Sequence, residues 1–432
     1  MTPTKYLFVM VLTVMIFNAC STDPSDTGLV DCNGNQVETL VTEIELDQSR
    51  INLKKGDVLL LSVTTDIGDD SVTWVSDSPE IAQVDNQGEV TALKSGSAII
   101  TAKTCNAETT ATLSIDPDIY ITGSEIMTTE SFSGSLATYW KNGKKVTLSN
   151  LEQSSNAHSI FKEEGTLYVA GQQRFGLSSQ AKYWTQDSET SLTSGEGYAI
   201  ARSIFVDGGD VYVTGTEKFS SGNTIAKYWI NGQEFPLTDG SNRAFVSSIY
   251  VANGDVYVAG TEQNGATPNR YVAKYWKNNQ EFILTDGTDD AGVRDIVVIG
   301  NDVYVAGTEG SVVKYWKNGE AVSLSDGFES AAAHSIHIDG DDIYVAGYEY
   351  GNGSFQEAAV YWKNDEKFVL TNGVYRSYIA DITVHNGNVY AVGAVQDSSS
   401  EPELPVYWKD GERNTLPVVS GGRGNADSIF LD

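Results

Sequence analysis

Ser203-Ile-Phe-Val-Asp-Gly-Gly-Asp-Val-Tyr-Val-Thr-Gly215 continues through a loop to Ala226-Lys-Tyr-Trp-Ile-Asn-Gly232 and ends at Phe235-Pro-Leu-Thr-Asp-Gly240. Turn residues separate its four short apolar runs, which predicts four strands. Pairs such as Asn253-Gly254 and Asp339-Gly340 join strands one and two. Asn142-Gly143, Asn231-Gly232, Asn318-Gly319 and Asp410-Gly411 join strands three and four. Such dipeptides accept positive φ and form two-residue hairpin turns that match strand twist. Val211 and Val213 point one way and Tyr212 the other, so both faces are apolar. A sheet sandwiched between two other sheets requires that.

The unit recurs. Tyr139-Trp140, Tyr183-Trp184, Tyr228-Trp229, Tyr275-Trp276, Tyr315-Trp316, Tyr361-Trp362 and Tyr407-Trp408 are spaced by 44, 45, 47, 40, 46 and 46 residues. A period of that size filled with short strands is the signature of a β-propeller. The second-strand core appears seven times, at Tyr120, Tyr168, Tyr212, Tyr257, Tyr304, Tyr344 and Tyr390. The first-strand core appears six times, at Ile160, Ile204, Ile249, Ile296, Ile336 and Ile382, and the missing copy is the end of the chain, Ser428-Ile429-Phe430-Leu431-Asp432. The terminal strand is therefore expected to complete the first blade beside Asp118–Gly123 and remove two open sheet edges. A long β-solenoid would leave that displaced strand unexplained. The repeat lacks the Trp-Asp dipeptide and paired glycines of the common eukaryotic propellers. It resembles repeats of bacterial surface proteins, a resemblance that implies no activity.

Residues 1–19 read as an export signal, with Lys5 before the apolar run Tyr6–Phe17, which is too short to span stably. Ala19-Cys20 resembles a bacterial lipoprotein cleavage box, with Phe17 where that pattern has an aliphatic residue. The resemblance implies a lipidated Cys20 and a polar tether over 20–37. An ordinary secreted protein is the other reading.

Residues 38–116 include Val72-Thr-Trp-Val-Ser-Asp-Ser-Pro-Glu-Ile-Ala-Gln-Val and continue to Ala102. Trp74, Ser76, Ile81-Ala82, Val84, Gly88, Val90, Ala92, Gly96, Ala98 and Ile100 make this segment resemble the bacterial immunoglobulin-like domain, group 2. That resemblance implies a small β-sandwich of a kind found in adhesins and as a spacer in exported enzymes. Alternating runs such as Leu59–Val63 and Ala98–Ala102 agree with it. The expected fold class is thus all-β: an Ig-like β-sandwich followed, over 117–432, by a seven-bladed β-propeller of four-stranded blades closed by the C-terminal strand. Cys32 and Cys105 form an even pair in an exported protein, so a disulfide is expected. In a sandwich of this type the first strand starts at the pole where the last hairpin turns, which permits the bond. Two free thiols are the alternative.

Asp plus Glu number 58 against 28 Lys plus Arg, a net charge of −30. Nucleic acid and anionic membrane are poor partners for such a surface, so membrane contact is expected through the lipid anchor only. The acids Asp207-Gly-Gly-Asp210 and Asp339-Gly-Asp-Asp342 fall where hairpin turns are needed, and no dense oxygen-ligand loop appears. No metal and no cofactor is expected. His334 and His337, three apart on one strand, are expected on opposite faces. Gly421-Gly422-Arg423-Gly424 lacks the Lys-Ser/Thr of a phosphate loop. Glu217, Glu262 and Glu309 after strand two, with Lys227, Lys274 and Lys314 opening strand three, predict cross-strand ion pairs,.

From the glycine ending strand two to the Tyr of Tyr-Trp, the gaps are 16, 12, 13, 15, 8, 14 and 14 residues, whereas the other hairpins are nearly uniform. One propeller face is diversified, and rigid scaffolds put recognition on variable loops. On that face, nearest the axis, stand His158, Arg202, Ser247, Arg294, His334, Ala380 and Asp427, with Tyr198, Phe245, Tyr375 and Tyr378 in the neighbouring links. Aromatic plates with guanidinium donors suit ring-shaped or anionic ligands. The same groups could instead serve only to close the channel. The reading is a non-enzymatic lipoprotein of the cell envelope, in the outer membrane facing the periplasm or the surface, that binds a glycan or a surface protein. A polysaccharide lyase or hydrolase on the same face and a structural subunit are the alternatives.

Overall fold

The computed structural model describes residues 29–30, 36–37, 43–65, 72–104, 107–129, 132–150, 152–219, 222–267, 270–328, 330–350, 356–419 and 421–432. The chain divides into two compact units, Met1–Ile115 and Asp116–Asp432. In the first unit, a four-stranded sheet (Arg50–Lys54, Glu108–Asp116, Gly96–Lys103, Thr73–Ser76) and a three-stranded sheet (Val58–Leu60, Glu89–Ala92, Ala82–Val84) enclose one core. Ile51, Leu61, Val90, Ile100 and Leu113 fill it, with Trp74 packed against them. Cys20, Cys32 and Cys105 lie outside the described residues.

The second unit is a ring of seven four-stranded antiparallel blades. Blades two to seven begin with the strands Ser155–Glu163, Tyr198–Asp207, Ala244–Ala252, Ala291–Ile299, Ala331–Asp339 and Ser377–His385. Blade one takes its first strand, Arg423–Leu431, from the end of the chain, beside Ile119–Thr128. Each first strand touches the first strands of both neighbouring blades, and Arg423–Leu431 touches those of blades seven and two, so the circle is closed. Fold class and displaced strand are as read from the repeat. Blades two and three are also joined on the variable face, where Ser179 bridges Tyr198 in parallel.

Seven apolar clusters, one per interface between blades, hold the ring. The tryptophan of every Tyr-Trp pair is at most 3 % exposed. Trp229 of blade three packs on Ala170 and Ala181 of blade two, and Trp140 of blade one packs on Tyr390 and Val392 of blade seven. The Trp140 indole also donates to the Pro417 carbonyl at 2.9 Å. Truncating such a tryptophan costs about 3–5 kcal/mol.

The hairpin asparagines do more than turn the chain. Asn142, Asn231, Asn278, Asn318 and Asn364 sit at positive φ of 49–56°. The Asn231 Oδ1 accepts from the Val211 N–H at 2.9 Å while its Nδ2 donates to Asp210 at 2.8 Å. The same clamp recurs at Asn278, Asn318 and Asn364. The expected cross-strand ion pairs form: Lys227–Glu217 at 2.7 Å, Lys274–Glu262 at 2.8 Å and Lys314–Glu309 at 2.6 Å. Lys227 and Glu217 are nearly sealed, with side chains 4 % and 5 % exposed, so removing one partner costs more than at an open surface pair.

Deleting Ser428–Asp432 removes Ile429 from the Trp140 cluster and frees the edge of residues 119–122. Loss of one core isoleucine costs about 2–5 kcal/mol, which in a unit of this size lowers Tm by about 3–8 °C. Thermal unfolding of the truncated protein checks this, and an unchanged Tm would contradict closure by the terminal strand.

Candidate functional site

Each blade carries the same irregularity where its first strand nears the variable face. The register slips by one residue between Ala157 and Ser159, Ala201 and Ser203, Val246 and Ser248, Val293 and Asp295, Ala333 and Ser335, and Ile379 and Asp381. In blade one the slip falls across Ala426 and Ser428. The extra residues are His158, Arg202, Ser247, Arg294, His334, Ala380 and Asp427. A β-bulge leaves its extra residue unpaired and re-aims its side chain. The opposing residue is always the glycine ending strand two. A Cβ on Gly215 or Gly347 would collide with the carbonyl oxygen of Ile200 or Ala332, and the other five glycines meet an equivalent carbonyl. Because a bulge resets strand alternation, the expectation that His334 and His337 face opposite sides does not follow. Among the described residues, no group of three or more His, Cys, Asp or Glu is placed to hold a metal.

The residue after each bulge ties one blade to the next. The Ser159 Oγ accepts from the Ile204 N–H at 3.2 Å, and the Ser203 Oγ from the Ile249 N–H at 3.3 Å. Ser248 donates to Asp295 at 2.7 Å, Asp295 accepts from the Ile336 N–H at 2.9 Å, and Asp381 accepts from the Ile429 N–H at 2.9 Å. Ser335 lies 3.1 Å from Asp295 and 2.7 Å from Asp381 and has one hydroxyl proton, so it donates to only one of them,. Burial, reinforced by the Asp381 charge, pushes Asp295 up to about 6, and burial raises Asp381 as well. Two residues further along each first strand is a second layer. Phe430, Phe161, Phe205 and Tyr250 form an arc with ring centroids 4.7–5.2 Å apart.

Four of the residues singled out in the sequence share one electrostatic environment. Arg202 is held below its ordinary pKa by burial and then by the Arg294 charge, with Tyr198 and Asp427 acting in the other direction. Arg294 and Asp427 also act on His334. Both arginine side chains reach solvent. Neither has an ion pair or hydrogen bond among the described residues. His334 Nδ1 is 2.7 Å from the Ile379 carbonyl oxygen, which can only accept, so Nδ1 carries the proton and Nε2 is the acceptor. Burial and Arg294 push His334 down to about 4. It is therefore neutral at pH 7 and adds no charge to the mouth. His158 Nδ1 lies 3.6 Å from Asp427, and its buried Nε2 has no partner.

Other candidates serve the fold or stand apart. Ser247 donates to the Val293 carbonyl at 2.8 Å. Phe245 packs on Tyr271 at 5.9 Å. Tyr378 presents its ring to His334 edge-on and lies under Arg376, which grips Glu357 at 2.7 Å and Glu403 at 2.9 Å. Tyr378 also lines a pocket of about 190 Å³ with Arg423, Asn425 and Glu403, at the seam where blades seven and one meet. Tyr375 is half-buried in the preceding link. Asp210 and Asp342 are taken by Asn231 and by Lys363 and Asn364, and Glu163 accepts from the Gly208 and Gly209 N–H groups. The sequence reading missed both the bulges and the Ser/Asp ring. Their signal was the glycine fixed opposite a position that varies from blade to blade.

Residues 40–113 match the family of the bacterial Ig-like domain (group 2). No curated protein matches the chain. Among solved structures, the chain is similar to an acylaminoacyl peptidase from Pyrococcus horikoshii, at 11 % identity and a TM-score of 0.42, over 76 % of this chain and 51 % of that one. It thus spans about half that peptidase's length. It is similar to the β-propeller domain of the Trilobed protease from Pyrococcus furiosus, described as having an open velcro topology, at 11 % identity and a TM-score of 0.37, over 87 % and 98 % of the two chains. TolB from Acinetobacter baumannii gives 12 % identity and a TM-score of 0.42, over 72 % and 82 %. Similarity of this degree transfers no activity.

The Asp295 carboxylate has a testable pH signature. Its folded pKa, about 6, lies above its ordinary value of 3.8. Its contribution to stability is therefore fully present below about 4 and is lost as pH rises through about 6. Asp295→Asn removes the titration, so the Tm of the variant minus that of the wild type rises between pH 4 and pH 7. A constant difference across that range would contradict the assignment.

Proposed function

We propose that the protein is a lipid-anchored protein of the bacterial envelope whose propeller binds a carboxylate-bearing ligand at its channel mouth, on a glycan or a protein, without catalysis. The observation that carries this reading is the pair Arg202 and Arg294. In a chain with 58 acidic residues, these two guanidiniums act on each other yet have no carboxylate partner among the described residues. Arginine is the side chain best matched to planar bidentate recognition of a carboxylate. An anion between them would relieve their repulsion, and neutral His334 offers an acceptor for a ligand hydroxyl beside it. The Ig-like domain fits a spacer on an exported protein, and Ala19-Cys20 fits a lipid tether.

A second reading, a polysaccharide lyase or hydrolase, is favoured by one observation, the approach of His158 to Asp427 at 3.6 Å, since a carboxylate can orient an imidazole base. Turnover of uronate oligosaccharides abolished by His158→Ala would support it over binding alone.

Two measurements test the proposal. Screened against anionic oligosaccharides and acidic peptides, the wild-type propeller should bind carboxylate-bearing members in a salt-sensitive way. Arg202→Ala/Arg294→Ala should weaken that binding at least about a hundredfold, because charge-assisted bonds contribute about 1.5–3 kcal/mol each. Equal affinity in the double variant would move the site off the axis. For the anchor, Cys20→Ala should shift the protein from the membrane to the soluble fraction of a bacterial host, and identical fractionation of both forms would rule out the lipid.

A further inference from the structure

The variable face is also where the propeller exposes its aromatic rings. Among the described residues, the exposed aromatic side chains are Phe175, Tyr198, Phe219, Phe245 and Phe328, and all five lie in links or strand ends of this face. The exposed aliphatics of the opposite side and rim, such as Ile283, Val322 and Val369, stand on fourth strands or at hairpin turns.

Four of the variable-face residues form one strip. In blade two the link between strands two and three is a tight hairpin, with Phe175 paired to Ser178 and Gly176 at a left-handed φ of 65°. Leu177 stands at its tip, wholly exposed. Gly176 supplies the turn, so the fold asks nothing apolar of Leu177. Two residues on, Ser179 bridges Tyr198, and Tyr198 pairs with Lys218, next to Phe219. Adjacent strands lie about 5 Å apart, so Leu177 and Phe219 flank Tyr198 from the strands on either side of it. The strip then continues along the same strand from Tyr198 to Arg202, which it influences electrostatically.

From this juxtaposition we infer that the ligand is a protein segment that presents a carboxylate beside bulky apolar side chains, its acid on Arg202 and Arg294 and its apolar residues on Leu177, Tyr198 and Phe219. The inference rests on the carboxylate reading of the mouth and narrows it. Aromatic and arginine side chains are the residues enriched at protein interfaces, where a few of them carry most of the affinity. Sugars stack on flat ring faces, whereas the fully exposed residue at the tip is an aliphatic leucine. Charge complementarity is set by the unpaired arginines, and the exposed apolar strip exceeds what scattered surface residues require.

The test uses short synthetic peptides with one Asp or Glu beside Leu, Phe or Trp, the same peptides with the acid replaced by Lys, and oligogalacturonate. The acidic apolar peptides should bind the full chain, and the lysine series should not. Leu177→Ser/Phe219→Ser and Arg202→Ala/Arg294→Ala should each weaken binding at least about tenfold, while Val322→Ser on a fourth strand leaves it unchanged. All variants should keep the wild-type Tm, since none of these side chains is in a core. Oligogalacturonate binding that needs the arginines but not Leu177 and Phe219 would overturn the protein partner and leave the carboxylate reading standing. Peptide binding insensitive to Leu177 and Phe219 would also overturn it. Arginine-dependent binding of neither probe would overturn both.

Discussion

The structure depends on one close approach. In every blade a first-strand carbonyl comes down onto the α-carbon of the glycine that ends strand two. No residue with a side chain fits there without moving the strand, at a cost of about 1–3 kcal/mol for overpacking of this kind. The approach is what lets the first strand hold one residue more than its partner. It thereby sets which side chains face the axis, which face the neighbouring blade, and where the chain bends into the channel.

The bulge divides labour between adjacent residues. The residue before it is small or aliphatic and lies in the interface between blades, as Ala157, Ala201 and Val293 do. The residue after it, Ser or Asp, bonds to the next blade's isoleucine N–H or hydroxyl. Apart from blades two and three, which also share the Ser179–Tyr198 bridge, these side-chain links join blades that have no backbone ladder between them. The two aspartates make the strongest claims on their neighbours, because each carboxylate gathers donors from more than one blade. Asp381 gathers those of the terminal strand, the strand whose pairing with Ile119–Thr128 closes the ring. The same burial that strengthens these bonds raises both carboxyl groups and places their charges against each other. Closure is therefore bought with electrostatic strain on one arc of the channel.

Architecture was legible in the sequence because it is written in apolar periodicity and turn chemistry. The Tyr-Trp spacing and the orphan Ser428–Asp432 copy together imply a closed ring. The shared position of the candidate residues was legible, but not its geometry. His158, Arg202, Arg294, His334 and Asp427 were picked out by their place before the Ser/Asp-Ile step, and the structure puts each of them on a bulge. A one-residue bulge, however, has no composition of its own, so strand parity alone does not settle which way His334 and His337 face. At His334 burial and the Arg294 charge hold the imidazole neutral, and the Ile379 carbonyl, which arrives from another blade, fixes its tautomer; none of these is visible in the local sequence. The Asn231-type clamp was hidden behind the turn preference that asparagine also satisfies.

The bulged position varies from blade to blade, and among the described residues only Ser247 and His334 use it to bond a carbonyl of the next blade. Its seven occupants within this single chain are His, Arg, Ser, Arg, His, Ala and Asp, while the flanking positions stay small, Ser/Asp and Ile. The position tolerates a small neutral residue, as Ala380 shows. The two arginine charges oppose each other there, and neither has an ion-pair partner among the described residues. The arginines, unlike the tryptophans, are not accounted for by the fold, and that is the ground on which a carboxylate-bearing ligand is proposed.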